Sequence, residues 1–137
     1  MNFTEPPNPT TRKPGQGDSA IVLVATGEPA GGHYSNLSQI LDIKSLKICK
    51  NIQPYPLELS YATGDIVSGS PIICGGGPAG SRHTNKCYTL NKRTFDWNYL
   101  ASLSGKRHES ASVSLDGALW VTGNYNLFSS LYLELFI

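Results

Sequence analysis

Long apolar runs are missing from this chain. No stretch approaches the roughly 18 residues of a membrane-spanning helix, so no membrane span is expected. Charge is scarce as well: Asp, Glu, Lys and Arg make up 15% of the residues and the formal net charge is +1. With no basic run or stripe, the electrostatic footprint of a nucleic-acid binder is absent. The opening MNFTEPPNPTTRKPGQGDSA lacks the apolar core of a secretory signal. Its Pro, Thr and Gly content reads as a disordered lead-in or linker over residues 1–20. Cysteine is limited to Cys49, Cys74 and Cys87, an odd count that fits no simple disulfide framework, at spacings that fit no zinc pattern. Helical periodicity is also absent.

What is present is a set of short segments rich in Val, Ile, Leu and aromatics, among them 21–24, 40–43, 46–48, 71–74, 87–90, 111–115 and 118–122. Each is bounded by Gly, Pro, Ser, Asn or Asp. Short strands at roughly 8 to 12 residue spacing predict an antiparallel all-β fold. Asp116-Gly117 lies between two strand-like runs and predicts a tight hairpin over 109–123. The 137 residues suffice for one ordinary domain with a core.

The stretch CGGGPAG, residues 74–80, spells G-x-G-x-x-G through Gly75, Gly77 and Gly80. A dinucleotide-binding loop needs a helix directly after the glycines, whose N-terminus holds the pyrophosphate. The following SRHTNKCYTLNKRTFDWNYL has no apolar helical stripe, and no Gly-Lys-Ser/Thr follows for a P-loop. The glycines are better read as ending a strand and letting the backbone turn or pack closely.

An internal repeat supports that reading. A slide of 49 residues carries Pro29 onto Pro78 and VLVATGEPAG (22–31) onto PIICGGGPAG (71–80). The same slide carries Asn36 onto Asn85 and LDIKSLKI (41–48) onto LNKRTFDW (90–97). A third copy matches ALWVTG (118–123) to PIICGG (71–76), with Gly123 on Gly76, and SASVSLDG (110–117) to TGDIVSGS (63–70). One unit is strand, tight turn, strand, Gly-rich loop, strand, short turn, strand.

Four short strands per unit, Gly75-Gly76 ending the second, Tyr88 in the third and Trp97 in the fourth resemble the kelch repeat. The resemblance runs from about residue 21 to 125. In the first unit Thr26-Gly27 replaces the double glycine, Gln39 the aromatic and Ile48 the Trp; in the third, Gly123 is followed by Asn124. The resemblance implies β-propeller blades, with Gly27, Gly75, Gly76 and Gly123 as structural glycines and Tyr88, Trp97 and Trp120 as core aromatics. A partial blade is expected over 21–58, a complete one over 59–104 and the start of a third over 105–125, followed by an apolar tail or next strand over 126–137. A propeller closes with typically four to eight blades, so an incomplete propeller is expected, completed by a longer chain or by self-association.

Kelch propellers serve mostly in protein binding, and ligands often contact loops between the second and third strands and between blades. Those loops here are 28–36, 77–86 and 104–109. They carry Tyr34, Arg82, His83, Lys106, Arg107 and His108, side chains suited to an acidic or polar peptide partner. No cofactor, metal or catalytic group is expected. A minority branch related to galactose oxidase uses copper, but Cys87 and Tyr88 are adjacent and point to opposite faces of a strand. A fragment of such a secreted oxidase, or a truncated product without activity of its own, are the alternatives.

Cys74 and Cys87 can lie opposite each other across the hairpin around 75–86. Either they form a disulfide or they are two buried thiols. Asn36-Leu37-Ser38 and Asn2-Phe3-Thr4 are glycosylation sequons that matter only in a secreted chain. Localisation stays open in the sequence: cytoplasmic or, if Cys74 and Cys87 form a disulfide and the N-terminus is truncated, extracellular.

Overall fold

The computed structural model describes residues 21–30, 32–78, 83–123 and 134–136. Those residues hold twelve strands and no helix, all paired antiparallel in three sheets. In the first sheet, β2 (Ser35–Asp42) lies between β1 (Ile21–Gly27) and β3 (Lys47–Asn51). Two short strands, β4 (Leu59–Ser60) and β7 (Gly77–Pro78), extend it: Ser35 pairs with Leu59, and Leu59 with Pro78. The second sheet is a four-stranded meander of β5 (Thr63–Val67), β6 (Ser70–Cys74), β8 (Lys86–Leu90) and β9 (Trp97–Ser102). The third runs β10 (Ala111–Leu115), β11 (Ala118–Thr122), β12 (Glu134–Phe136). Sequence alone assigns 59–60 and 77–78 to the second unit; their backbone pairs with the first.

The repeat is visible atom by atom. Asp42 Oδ1 accepts from the backbone N–H groups of Lys44 and Ser45, and Asn91 Oδ1 does the same from Arg93 and Thr94. Such Asx turns reverse the chain in few residues. They deliver equivalent pairings, Leu41 with Ile48 and Leu90 with Trp97. Left-handed backbone recurs at the same offset: Leu46 (φ 55°) with Phe95 (64°), and Thr26 (63°) with Gly75 (69°). The third copy needs a correction of one residue. Ser68-Gly69 and Asp116-Gly117 are the central pairs of two-residue hairpins, with φ of 48° and 76° and of 53° and 77°. Matching the turns gives an offset of 48 and places Gly123 on Gly75 rather than on Gly76.

A Cβ on Gly75 would lie 2.6 Å from the Arg107 carbonyl oxygen, and one on Gly76 would lie 2.8 Å from that of Ser60. Gly76 N–H donates to the Arg107 carbonyl at 2.7 Å. These glycines bring connecting backbones against the end of a strand, an approach any side chain would block.

Two cores join the sheets. Between the first and second, Ile52, Tyr55, Leu59, Leu90 and Trp97 are buried, with Leu23, Ala25, Ile40, Ile73, Tyr88 and Phe95 packed against them. The Trp97 indole donates to the Ser38 hydroxyl at 3.2 Å, and the Lys50 ammonium lies 3.5 Å from the Phe95 ring centroid. Between the second and third, Val67, Ile72, Cys74, Cys87, Leu103, Leu119 and Val121 form the other core. Cys74 and Cys87 pair across β6 and β8 and are joined as a disulfide, while Cys49 is free and exposed. A disulfide closing a loop of this size stabilises by about 3 kcal/mol. Trp120 is half-buried on β11, and its indole donates to the Leu115 carbonyl at 3.3 Å.

Two outcomes follow from these contacts. Thr26 is β-branched in left-handed backbone, a conformation that costs a non-glycine residue roughly 1–2 kcal/mol. After the greater chain entropy of glycine is subtracted, Thr26→Gly is expected to raise stability by about 1 kcal/mol in urea unfolding. Unchanged or lower stability would mean that Thr26 is not held in that conformation. Thiol titration of the unfolded, unreduced chain is expected to detect Cys49 alone, and all three cysteines after reduction.

Candidate binding site at the loop end

Four connections meet at one end of the sheets. The loop after β1 carries Glu28, the link from β4 to β5 carries Tyr61, the loop before β8 carries His83, and the link from β9 to β10 carries Arg107, His108 and Glu109. Backbone bonds zip these together: Thr84 N–H donates to Gly76, Arg107 N–H to Thr84, and Glu109 N–H to Tyr61. The side chain of Asn85 donates to the Leu103 carbonyl at 2.9 Å.

Within this frame the imidazoles of His83 and His108 stack, with centroids 3.6 Å apart and planes inclined by 17°. His83 lies over Gly77, where a Cβ would come within 3.2 Å of Nδ1. The Tyr61 ring stands edge-on to His108 at 6.5 Å, and its hydroxyl donates to Glu28 Oε2 at 3.4 Å. Tyr61 is 51% exposed, so this aromatic is open to a partner. Its phenol is held above the ordinary range, first by the charge of Glu28, with smaller contributions from desolvation, Tyr34 and Glu109. The buried Ser60 hydroxyl, next along the chain, has no hydrogen-bond partner among the described residues. Burial is the main cause lowering the His108 imidazole below its ordinary value, His83 lowers it further, and Glu109 partly opposes them.

The residues singled out from sequence divide accordingly. His83 and His108 come together, Tyr34 is half-buried near Tyr61, and Lys106 is exposed. Arg107 is 3% exposed, and its guanidinium donates to the Gly123 carbonyl at 2.8 Å. It ties the second sheet's exit to the end of β11, so its place is structural rather than at the surface. Arg82 lies outside the described residues, as do Asn2 and Gly80. Asn36, expected in a loop, is the second residue of β2 and accepts from Tyr55 N–H through its carbonyl. Glu28, Tyr61 and Glu109 were not singled out in the sequence. Left-handed backbone at Tyr61 (φ 57°) and Glu109 (53°) marks equivalent strand entries, but no sequence pattern advertises it. Among the described residues no group of three or more His, Cys, Asp or Glu could hold a metal ion. No helix among them is long and apolar enough to cross a membrane.

No protein-family model matches the chain, and no curated protein matches it. Among solved structures it is similar to YjhT, with a TM-score of 0.64 at 18% identity over 84% of this chain. The match spans 37% of the YjhT chain. At that identity the likeness concerns the fold, a propeller-like arrangement of antiparallel sheets. The Cys74–Cys87 disulfide fits an extracellular, oxidising setting.

The lowered His108 value carries a pH signature. A histidine that binds protons less readily folded than unfolded contributes fully above its unfolded value, about 6.5. As pH falls below that value the unfolded chain takes up the proton and stability declines. The urea midpoint is expected to hold above pH 7 and to decline as pH falls below about 6.5. His108→Asn is expected to flatten that drop; an equal drop in the variant would remove His108 as its source.

Proposed function

We propose that the chain is a non-enzymatic protein-binding module, part of a kelch-like β-propeller that engages its partner through the loop end. On this reading β1–β3 belong to one blade, β5, β6, β8 and β9 to a second and β10–β12 to a third, with the short β4 and β7 added to the first sheet. The repeat, the glycine pair against the Arg107 and Ser60 carbonyls, and the buried Trp97 support the kelch reading. The observation that carries the binding function is the convergence of Glu28, Tyr61, His83, His108 and Glu109 from four separate connections.

The charge beside Tyr61 supports a partner different from the acidic or polar peptide expected from the loop side chains, of which Lys106 stays exposed on the same link as Glu109. Arg107 is turned inward, whereas Glu28 and Glu109 act on the exposed ring of Tyr61. An aromatic face beside carboxylates recognises a Lys or Arg side chain through cation–π and ionic contact. The partner is therefore a protein segment presenting a cationic residue. Titration with matched basic and acidic peptides is expected to show binding of the basic one. Tyr61→Ala or Glu28→Gln is expected to weaken it by about tenfold. Preference for the acidic peptide, or no effect of either substitution, would overturn the assignment.

A further inference from the structure

The sheets close at the end opposite the loop end through two equivalent turns, 43–46 between β2 and β3 and 91–96 between β8 and β9. Lys44 and Arg93 hold the same place in them, 49 residues apart. Each donates its backbone N–H to a side-chain oxygen two residues earlier, Asp42 Oδ1 at 2.8 Å or Asn91 Oδ1 at 2.9 Å. Lys92 precedes Arg93 and extends over the β5–β6 turn, where a Cβ on Gly69 would lie 3.1 Å from its ammonium. Lys47 opens β3, and the Lys50 ammonium, seated on the Phe95 ring, links the first sheet to the second turn. All five cations are exposed.

Two carboxylates share these turns, and neither is bonded to a cation there. Asp42 Oδ1 is taken up by the backbone N–H groups of Lys44 and Ser45. Asp96 is exposed, and among the described residues none of the five cations forms an ion pair. The surface is also complete within the two sheets. Blades of a propeller pack face against face, so turns at the strand ends stay in solvent whatever flanks the blades.

We propose that this end binds a sulfated polysaccharide, a linear polyanion lying across both turns. The side chains favour that class over an acidic protein segment. Protein partners are held mainly by aromatic and Arg anchors in closed pockets. Here the aromatic, Phe95, is half-buried beneath Lys50, and the five charges spread over two sheets. Four of them are lysines, compact charges that suit separate sulfate groups, whereas Arg forks suit paired oxygens. The disulfide fits the oxidising setting in which such polymers occur. The site is distinct from the loop end and does not rest on the partner proposed there.

A fluorescein-labelled heparin octasaccharide, titrated with the full chain, tests the assignment by polarisation. Saturable binding is expected, weakening roughly a hundredfold between about 50 and 200 mM salt. Lys44→Gln combined with Arg93→Gln is expected to weaken it about tenfold. Lys86→Gln combined with Lys106→Gln removes the same charge from exposed places at the loop end and is expected to leave binding unchanged. Leu46→Ser is also expected to leave it unchanged: Leu46, 84% exposed beside the cations, would anchor a protein segment but not a sugar. Absence of saturation, or equal loss from the two double substitutions, would overturn the proposal. So would loss with Leu46→Ser, or tighter binding of polyglutamate, either of which would assign the surface to an acidic protein segment. Tighter binding of oligothymidylate would likewise overturn it by assigning the surface to nucleic acid.

Discussion

Tyr55 binds two sheets at once, and the first two sheets depend on it for their alignment. Its backbone N–H donates to Asn36 in β2 at 2.7 Å, and its hydroxyl donates to the Ile73 carbonyl in β6 at 3.3 Å. Its ring stands edge-to-face with Tyr88 at 5.3 Å and Trp97 at 5.0 Å. Such pairs contribute about 0.5–1.5 kcal/mol each beyond the area they bury. Burial, with a smaller contribution from Tyr88, holds its phenol well above the ordinary range, so the donor stays protonated. Trp97 completes the junction by bonding to Ser38, across 59 residues of chain. Every polar atom named here is matched, which is what a buried polar group requires.

That junction also shows what a sequence of this kind discloses. Strand positions were legible because the apolar segments are short and each ends in residues that turn the chain. The 49-residue repeat was legible because the turns after Asp42 and Asn91 use the same side-chain chemistry. Tyr55 was not legible. It sits in IQPYPLE, where flanking prolines read as loop and no alternation marks a buried side chain. Arg107 misled for a related reason: a guanidinium in a predicted loop reads as exposed, but here it satisfies the Gly123 carbonyl. The third unit slipped by one residue because its single glycine was matched to the second of a pair. The hairpin turn, with two central residues in left-handed backbone, fixes register more firmly than a shared glycine does.

The loop end was legible in part. Histidines in loops 49 residues apart would have suggested a repeated ligand position, but His83 and His108 occupy different kinds of loop, one within a sheet and one between sheets. Their stacking arises from three-dimensional closure, through Thr84, Gly76 and Arg107, and not from the repeat. The acidic character around Tyr61 was hidden similarly, since Glu28 and Tyr61 lie 33 residues apart.

The two junctions between sheets use different chemistry at their inner strands, and that difference organises the whole piece. Between the second and third sheets, Thr63, Asp65, Ser112 and Ser114 exchange hydrogen bonds, and the disulfide lies in the core behind them. That seam is closed and polar. Between the first and second sheets aromatics close one side, while β1 and β5 leave Ile21 and Ile66 facing an open groove. Among the described residues β1 is paired on one edge only. Asp65 is the one charged residue lining the groove, and it is already engaged with Ser114 and with its own neighbour's N–H.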